Sequence, residues 1–160
     1  MDESIFRAYD IRGKYPAQIN VETVKTVIPA IVRAISSERS RGAIGGKKAP
    51  RTLILGHDAR LSSPELYKAC IEALGREKGV TVIQAGLITT PMLYFLVNKH
   101  KAAGGITVTA SHNPKEYNGL KMVREQAIPV SGKDVLRYIK SSAYCLPASE
   151  TESNIFIPRS

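Results

Sequence analysis

Cysteine is scarce. The 160 residues hold two, Cys70 and Cys145, and their spacing fits neither a metal site nor a redox pair. Cys70 falls on the apolar side of an expected helix, which makes it a buried structural thiol. Long apolar runs are missing too. The longest nearly apolar stretch, Leu87 to Val97, falls short of the roughly 20 residues a membrane span needs. The opening Met1-Asp2-Glu3-Ser4 is acidic and lacks the apolar region of a secretion signal. A cytoplasmic protein with no membrane partner is expected. Internal repeats and low-complexity tracts are also absent. Acidic side chains are outnumbered, 14 against 23 Lys and Arg, for a formal net charge of +9. That balance favours an anionic partner, a class that includes phosphorylated metabolites as well as nucleic acid. Five of the basic residues (Arg39, Arg41, Lys47, Lys48, Arg51) share one glycine-bearing stretch with no aromatic between them. Such a stretch reads as a solvated loop rather than a nucleic-acid face, so nucleic acid is not the expected partner.

The length suits one domain with a core of its own, and 43% apolar with 23% charged residues is ordinary for a globular chain. Ile5 to Gly13 alternates and reads as a short strand ending in a turn at Gly13. Val21, Val24, Val27, Ile28, Ile31 and Ile35 recur at helical spacing behind an N-cap at Asn20. Pro29 inside that pattern predicts a kink or a late start. Thr52 to Gly56 is a continuous apolar run that suits a buried parallel strand. Ser63-Pro64-Glu65 reads as N-cap, first-turn proline and first-turn acid of a helix ending near Gly79. Val80 to Ile83 is the next strand. Thr90-Pro91 caps a helix from Met92 to Lys99, Gly105 to Thr109 forms a strand, Leu120 to Val123 a short one, and Ser131 caps a last helix through Ile139. Alternating strands and helices predict a layered α/β domain with a mostly parallel sheet. Ligands then gather outside the carboxyl ends of the strands. The loops 56–60, 86–90 and that around Ser111 fall there. Residues 1–145 make the domain, and 146–160 read as a linker.

The loop Thr109-Ala110-Ser111-His112-Asn113-Pro114-Lys115 places one serine at the end of an apolar strand, beside a histidine, with Lys115 and Lys121 close in sequence. An ordinary strand-to-turn junction would also use Ser, Asn and Pro. A hydrolase is disfavoured: the flanking glycines of a nucleophile elbow are missing, and neighbouring Ser and His side chains rarely face one another. A phosphoserine would need cations and oriented N–H donors, which Lys115, Lys121, Arg12 and the loop backbone could supply. The sequence offers no evident carboxylate cluster for Mg²⁺.

At this point the residues carry a family resemblance. Thr109 to Pro114, followed by Tyr117-Asn118-Gly119-Leu120-Lys121, resembles the active-site loop of the α-D-phosphohexomutases, the phosphoglucomutase and phosphomannomutase family. Phe6 to Gly13 is similar to its N-terminal motif. Gly56-His57-Asp58-Ala59-Arg60-Leu61-Ser62 resembles its G-R-D-x-R-x-S element, with His57 in place of arginine. Gly86 to Pro91 matches the region before the serine strand. The resemblance covers residues 5 to about 145, the first of four family domains. It implies a three-layer α/β/α sandwich around a four-stranded mixed sheet.

The resemblance also implies roles. Ser111 would carry a phosphoryl group, give it to a hexose monophosphate, and recover the other phosphate of the bisphosphorylated sugar that forms. Its phosphate would supply one ligand to Mg²⁺. His112 and Lys121 match positions lining the phosphoserine, with Lys121 a candidate acid/base group. Arg12 matches a catalytic-site arginine, and Tyr9 the residue beside it. Asn118-Gly119 would shape the turn that brings Lys121 round. Plainer roles stand beside these: Lys121 solvated, Arg12 paired with Asp10, Arg60 bracing a loop, Tyr94 in the core, and His57 and His100 structural. In the family, the metal loop, the sugar-selecting loop and the phosphate clamp belong to the other three domains. The chain alone is therefore expected to lack turnover, with those domains supplied by another chain. Hexose phosphates are the expected partners and a hexose bisphosphate the activator. A non-catalytic phosphosugar-binding or regulatory module remains the alternative. Preference among glucose, mannose and glucosamine phosphates stays open.

Overall fold

The computed structural model describes residues 1–36 and 51–143. Most of the basic stretch, Cys145 and the expected linker lie outside the described residues. Five strands form one sheet in the order β1-β5-β4-β2-β3: β1 (Asp10–Lys14), β2 (Arg51–His57), β3 (Val80–Leu87), β4 (Gly104–Val108) and β5 (Tyr117–Arg124). Among the described residues the sheet is mixed, with five strands rather than four. β2 runs parallel to β3 and β4, while β5 is antiparallel to both β4 and β1. The expected parallel majority is therefore an even split. A parallel crossover needs a dozen or more residues, and β4 and β5 are separated only by residues 109–116, so the chain turns straight back.

Helices cover both faces. α1 (Val21–Ser36), α2 (Ser63–Leu74) and α4 (Gly132–Ala143) lie on one. There Ile28, Ile31, Leu66, Cys70 and Val135 meet Leu53, Leu55, Ile106 and Val108 in the main core. α3 (Thr90–Lys99) covers part of the other face, where Leu93 and Val97 pack with Ile54, Ile88 and Val123. Gly105 permits this approach, because a Cβ there would lie 2.8 Å from Leu93 and 2.9 Å from Val97. No described helix is long and apolar enough to cross a membrane.

Several boundaries differ from the sequence reading for identifiable reasons. The strand at the N-terminus begins only at Asp10, because Arg7 donates to the Asp10 carbonyl at 2.8 Å and closes a tight turn first. Gly13 sits within β1, not at its end. α1 starts at Val21, behind an Asn20 side chain that accepts from the Thr23 amide at 2.9 Å, and it runs on through Pro29. Ser62, not Ser63, occupies the capping position of α2. The Ser63 hydroxyl is spent on Asp58, at 2.6 Å. That helix ends at Leu74, five residues before Gly79. Thr89 caps α3, its hydroxyl accepting from Met92. Asn118 and Gly119 belong to β5 itself, so no turn is made there.

Candidate active site

Sheet register assembles the site. β4 and β5 set Thr107 opposite Lys121, and β5 and β1 set Lys121 opposite Asp10 and Gly119 opposite Arg12. Since directly paired residues share a face, Lys121, Asp10 and Arg12 gather at the sheet end from which the Ser111 loop emerges. Tyr9, Arg12, Ser111, His112 and Lys121 all line one cavity of about 480 Å³. Sequence separations of up to 112 residues are thereby closed. Ser111 also lines a second cavity of about 500 Å³, bounded by Asp58, Thr107, Thr109 and the start of α3.

Ser111 is exposed and has a positive φ of 56°, a left-handed conformation that costs a non-glycine residue about 1 kcal/mol. Its amide donates to the Thr109 hydroxyl at 2.9 Å. Its own Oγ lies 3.4 Å from His112 Nδ1, so the two neighbours do meet. His112 has no further hydrogen bond among the described residues, and no orienting third group makes a triad of them.

Arg12 serves two partners. Nη1 donates to Asn113 Oδ1 at 2.7 Å, and Nη2 pairs with Asp10 Oδ2. The plainer pairing with Asp10 is thus present, together with a link to the serine loop that the sequence did not disclose. Arg12 Nε is buried without a partner among the described residues. Lys121 is half-buried, and its side chain makes no ion pair or hydrogen bond among the described residues. Tyr9 stands 67% exposed at the cavity rim. Lys115 is exposed on the loop and does not line this cavity.

The loop after β2 braces the loop after β4. Arg60 Nη1 donates to the carbonyls of Pro114 at 2.7 Å and Tyr117 at 3.2 Å. Its Nη2 donates to those of Ser111 at 2.8 Å and Asn113 at 2.7 Å. Nε pairs with Asp58 Oδ2 at 3.2 Å. Asp58 Oδ1 accepts from Ser63 Oγ and, at 3.1 Å, from the Arg60 amide. Partial burial pushes the Asp58 carboxyl up. Hydrogen bonds from Ser63, Thr109 and the Arg60 amide, with the Arg60 charge, outweigh that and hold it below its ordinary value. Asn118, fully buried, donates to Ser62 Oγ at 2.7 Å and Ser63 Oγ at 3.0 Å.

Asp58, Asn113, Asn118 and Thr107 were not legible as site residues. Asp58, Asn113 and Asn118 fell inside the family-like motifs, but as motif positions without a role at the site, and Thr107 carried no signal. Thr107 is 1% exposed, and its hydroxyl lacks a partner among the described residues. His57 stays structural, its Nδ1 2.8 Å from the Asp58 carbonyl oxygen and its ring 4.8 Å from that of Tyr67. His100 ends α3. Tyr94 packs, half-buried, against the smaller core cluster, and burial raises its hydroxyl pKa.

The described residues do not make a metal site of their own. No group of three or more His, Cys, Asp or Glu stands together among the described residues, and Asp10 and Asp58 are both committed to arginines.

A family profile described as phosphoglucomutase/phosphomannomutase, alpha/beta/alpha domain I, matches residues 3–143. The chain belongs to this family. Similar proteins include a Xanthomonas campestris pv. campestris protein named phosphohexose mutases. It is 42% identical over 137 residues, which is 86% of this chain and 28% of that protein. An Escherichia coli phosphomannomutase is 39% identical over 138 residues, covering 86% and 27%. A crystal structure of a Burkholderia thailandensis phosphoglucomutase/phosphomannomutase family protein superposes with a TM-score of 0.71 at 28% identity. That match covers 89% of this chain and 31% of the other. The phosphohexomutase domain described here thus spans under a third of the relatives it matches.

Proposed function

We propose that this domain I provides the phosphoryl-carrying serine of a hexose phosphate mutase. The observation that carries the reading is the convergence of Tyr9, Arg12, Ser111, His112 and Lys121 on one cavity. Ser111 Oγ is the acceptor and donor of the phosphoryl group. In the forward half-reaction the Oγ–P bond breaks as a sugar hydroxyl oxygen forms its bond to phosphorus. The resulting bisphosphate returns its other phosphoryl group to Oγ after turning round. Lys121, uncommitted to any described partner, takes up the proton of the attacking sugar hydroxyl as the neutral amine and returns it as the ammonium. Arg12, its two terminal nitrogens held by Asp10 and Asn113, lends its positive charge to the phosphate. His112 faces the serine oxygen.

A phosphorylated Ser111 brings one oxygen ligand for Mg²⁺, which when bound offsets the charge of the transferring group. The other ligands come from outside the described residues. The chain spans 28% of the Xanthomonas relative, and catalysis by positioning fails when positioning parts are missing. The chain alone therefore performs slow single transfers without steady turnover, and its complement is polypeptide carrying the remaining domains. Hexose bisphosphate labelled in the phosphoryl group tests this. Label enters the protein and is chased off by unlabelled hexose monophosphate; label that persists contradicts the exchange, and steady mutase turnover contradicts the dependence on further domains.

A further inference from the structure

Arg60 stands beside the candidate site yet has nothing left to offer a ligand. A guanidinium carries five N–H donors, and all five are engaged: one on Asp58, four on the carbonyls of Ser111, Asn113, Pro114 and Tyr117. A phosphate could reach it only by breaking one of these bonds. The side chain is 14% exposed, so solvent screens the arrangement little.

What the five bonds fix is the conformation of Ser111. The peptide plane before Ser111 is held by its amide on the Thr109 hydroxyl, and the plane after it by its carbonyl on Arg60. With both flanking planes held, neither φ nor ψ of Ser111 can relax from the left-handed conformation that an L-residue otherwise leaves. Asp58, paired with Arg60 through Nε and through the Arg60 amide, anchors the guanidinium at its other end. We propose that Arg60 is a positioning residue that holds Ser111 in its left-handed, transfer-ready conformation, acting through its fork of donors and not through its charge. The proposal rests on the reading of Ser111 as phosphoryl carrier for its consequence, but not for its geometry.

Lysine separates fork from charge. It keeps the cation with three donors on one atom, and cannot span carbonyls spread over residues 111–117. The test uses the full chain. In Arg60→Lys and Arg60→Ala the Ser111 Cα and Cβ chemical shifts move from left-handed to extended values, while signals of Leu55 and Ile106 in the core stay in place. Both variants also take a phosphoryl group from hexose bisphosphate onto Ser111 at least tenfold more slowly than the parent. Left-handed shifts retained in Arg60→Lys, or uptake at the parent rate, overturn the proposal. Should neither variant fold, the guanidinium signals of the parent decide: separate, slowly exchanging N–H resonances are expected, and one averaged, fast-exchanging set overturns it. Absence of uptake by the parent itself would strike the carrier reading alone, and the chemical shifts would still decide the role of Arg60.

Discussion

Arg12 Nη1 donates to Asn113 Oδ1 at 2.7 Å, a bond that joins the first strand to the serine loop across 101 residues of sequence. It makes the loop's position depend on β1, and β1 in turn on its antiparallel pairing with β5. Replacing Asn113 by alanine removes the acceptor and leaves a partly buried guanidinium donor unpaired. Hydrogen bonds to charged groups contribute about 1.5–3 kcal/mol when fully buried, so a loss of about 1 kcal/mol is expected at this part-buried pair. The urea midpoint falls with the slope unchanged. An unaltered midpoint would mean that the link contributes nothing.

Gly119 lies opposite Arg12 in the β1–β5 pair. A Cβ on it would come within 2.0 Å of the Ile11 carbonyl oxygen and 3.0 Å of Arg12 Cα. Both obstacles are backbone, so Gly119→Ala must push the two strands apart. Overpacking of this kind costs about 1–3 kcal/mol, read as a fall in Tm, and amide shifts should move along residues 10–14. A variant as stable as the parent contradicts this packing.

Asp58 has a carboxyl pKa below its ordinary 3.8. A group depressed in the folded state stabilises it above the unfolded value, and that contribution is lost as pH falls through the folded one. Asp58→Asn should therefore be less stable than the parent at neutral pH, and the difference should shrink below about pH 4 as the parent carboxylate takes up its proton. Urea unfolding of both proteins across that range checks the sign; a gap that widens on acidification is incompatible with it.

Cys70 is fully buried, and burial pushes its thiol up to about 12. The thiolate is the reactive form. The Cys70 peptide should stay unmodified by iodoacetamide in native protein at mildly alkaline pH and react fully after denaturation. Rapid native labelling would place Cys70 somewhere other than the main core.

Much of the fold was legible because its signals are local. The 3.6-residue period of α1 and the apolar runs of β2 and β4 each declare an element without help from elsewhere. The edge strand β1 was harder. Its residues alternate over a longer stretch than the strand occupies, and only the Arg7–Asp10 turn, a tertiary matter, decides where pairing begins. The motif resemblance named Ser111, His112, Lys121, Arg12 and Tyr9 in advance, and register explains how they come to line one cavity. Asn113 and Asn118 read as turn formers because Asn usually is one. Nothing local says that one holds Arg12 and the other ties β5 to two serines at the start of α2. Arg60 was legible as a brace, but not that four of its donors would converge on four carbonyls with the fifth on Asp58.

The most direct test of the account is where phosphate goes. After incubation with hexose bisphosphate, intact-mass analysis and peptide mapping should find one added phosphoryl group, confined to the peptide bearing Ser111 and absent from Ser111→Ala. An unmodified mass, or a phosphoryl group on any other residue, would contradict it.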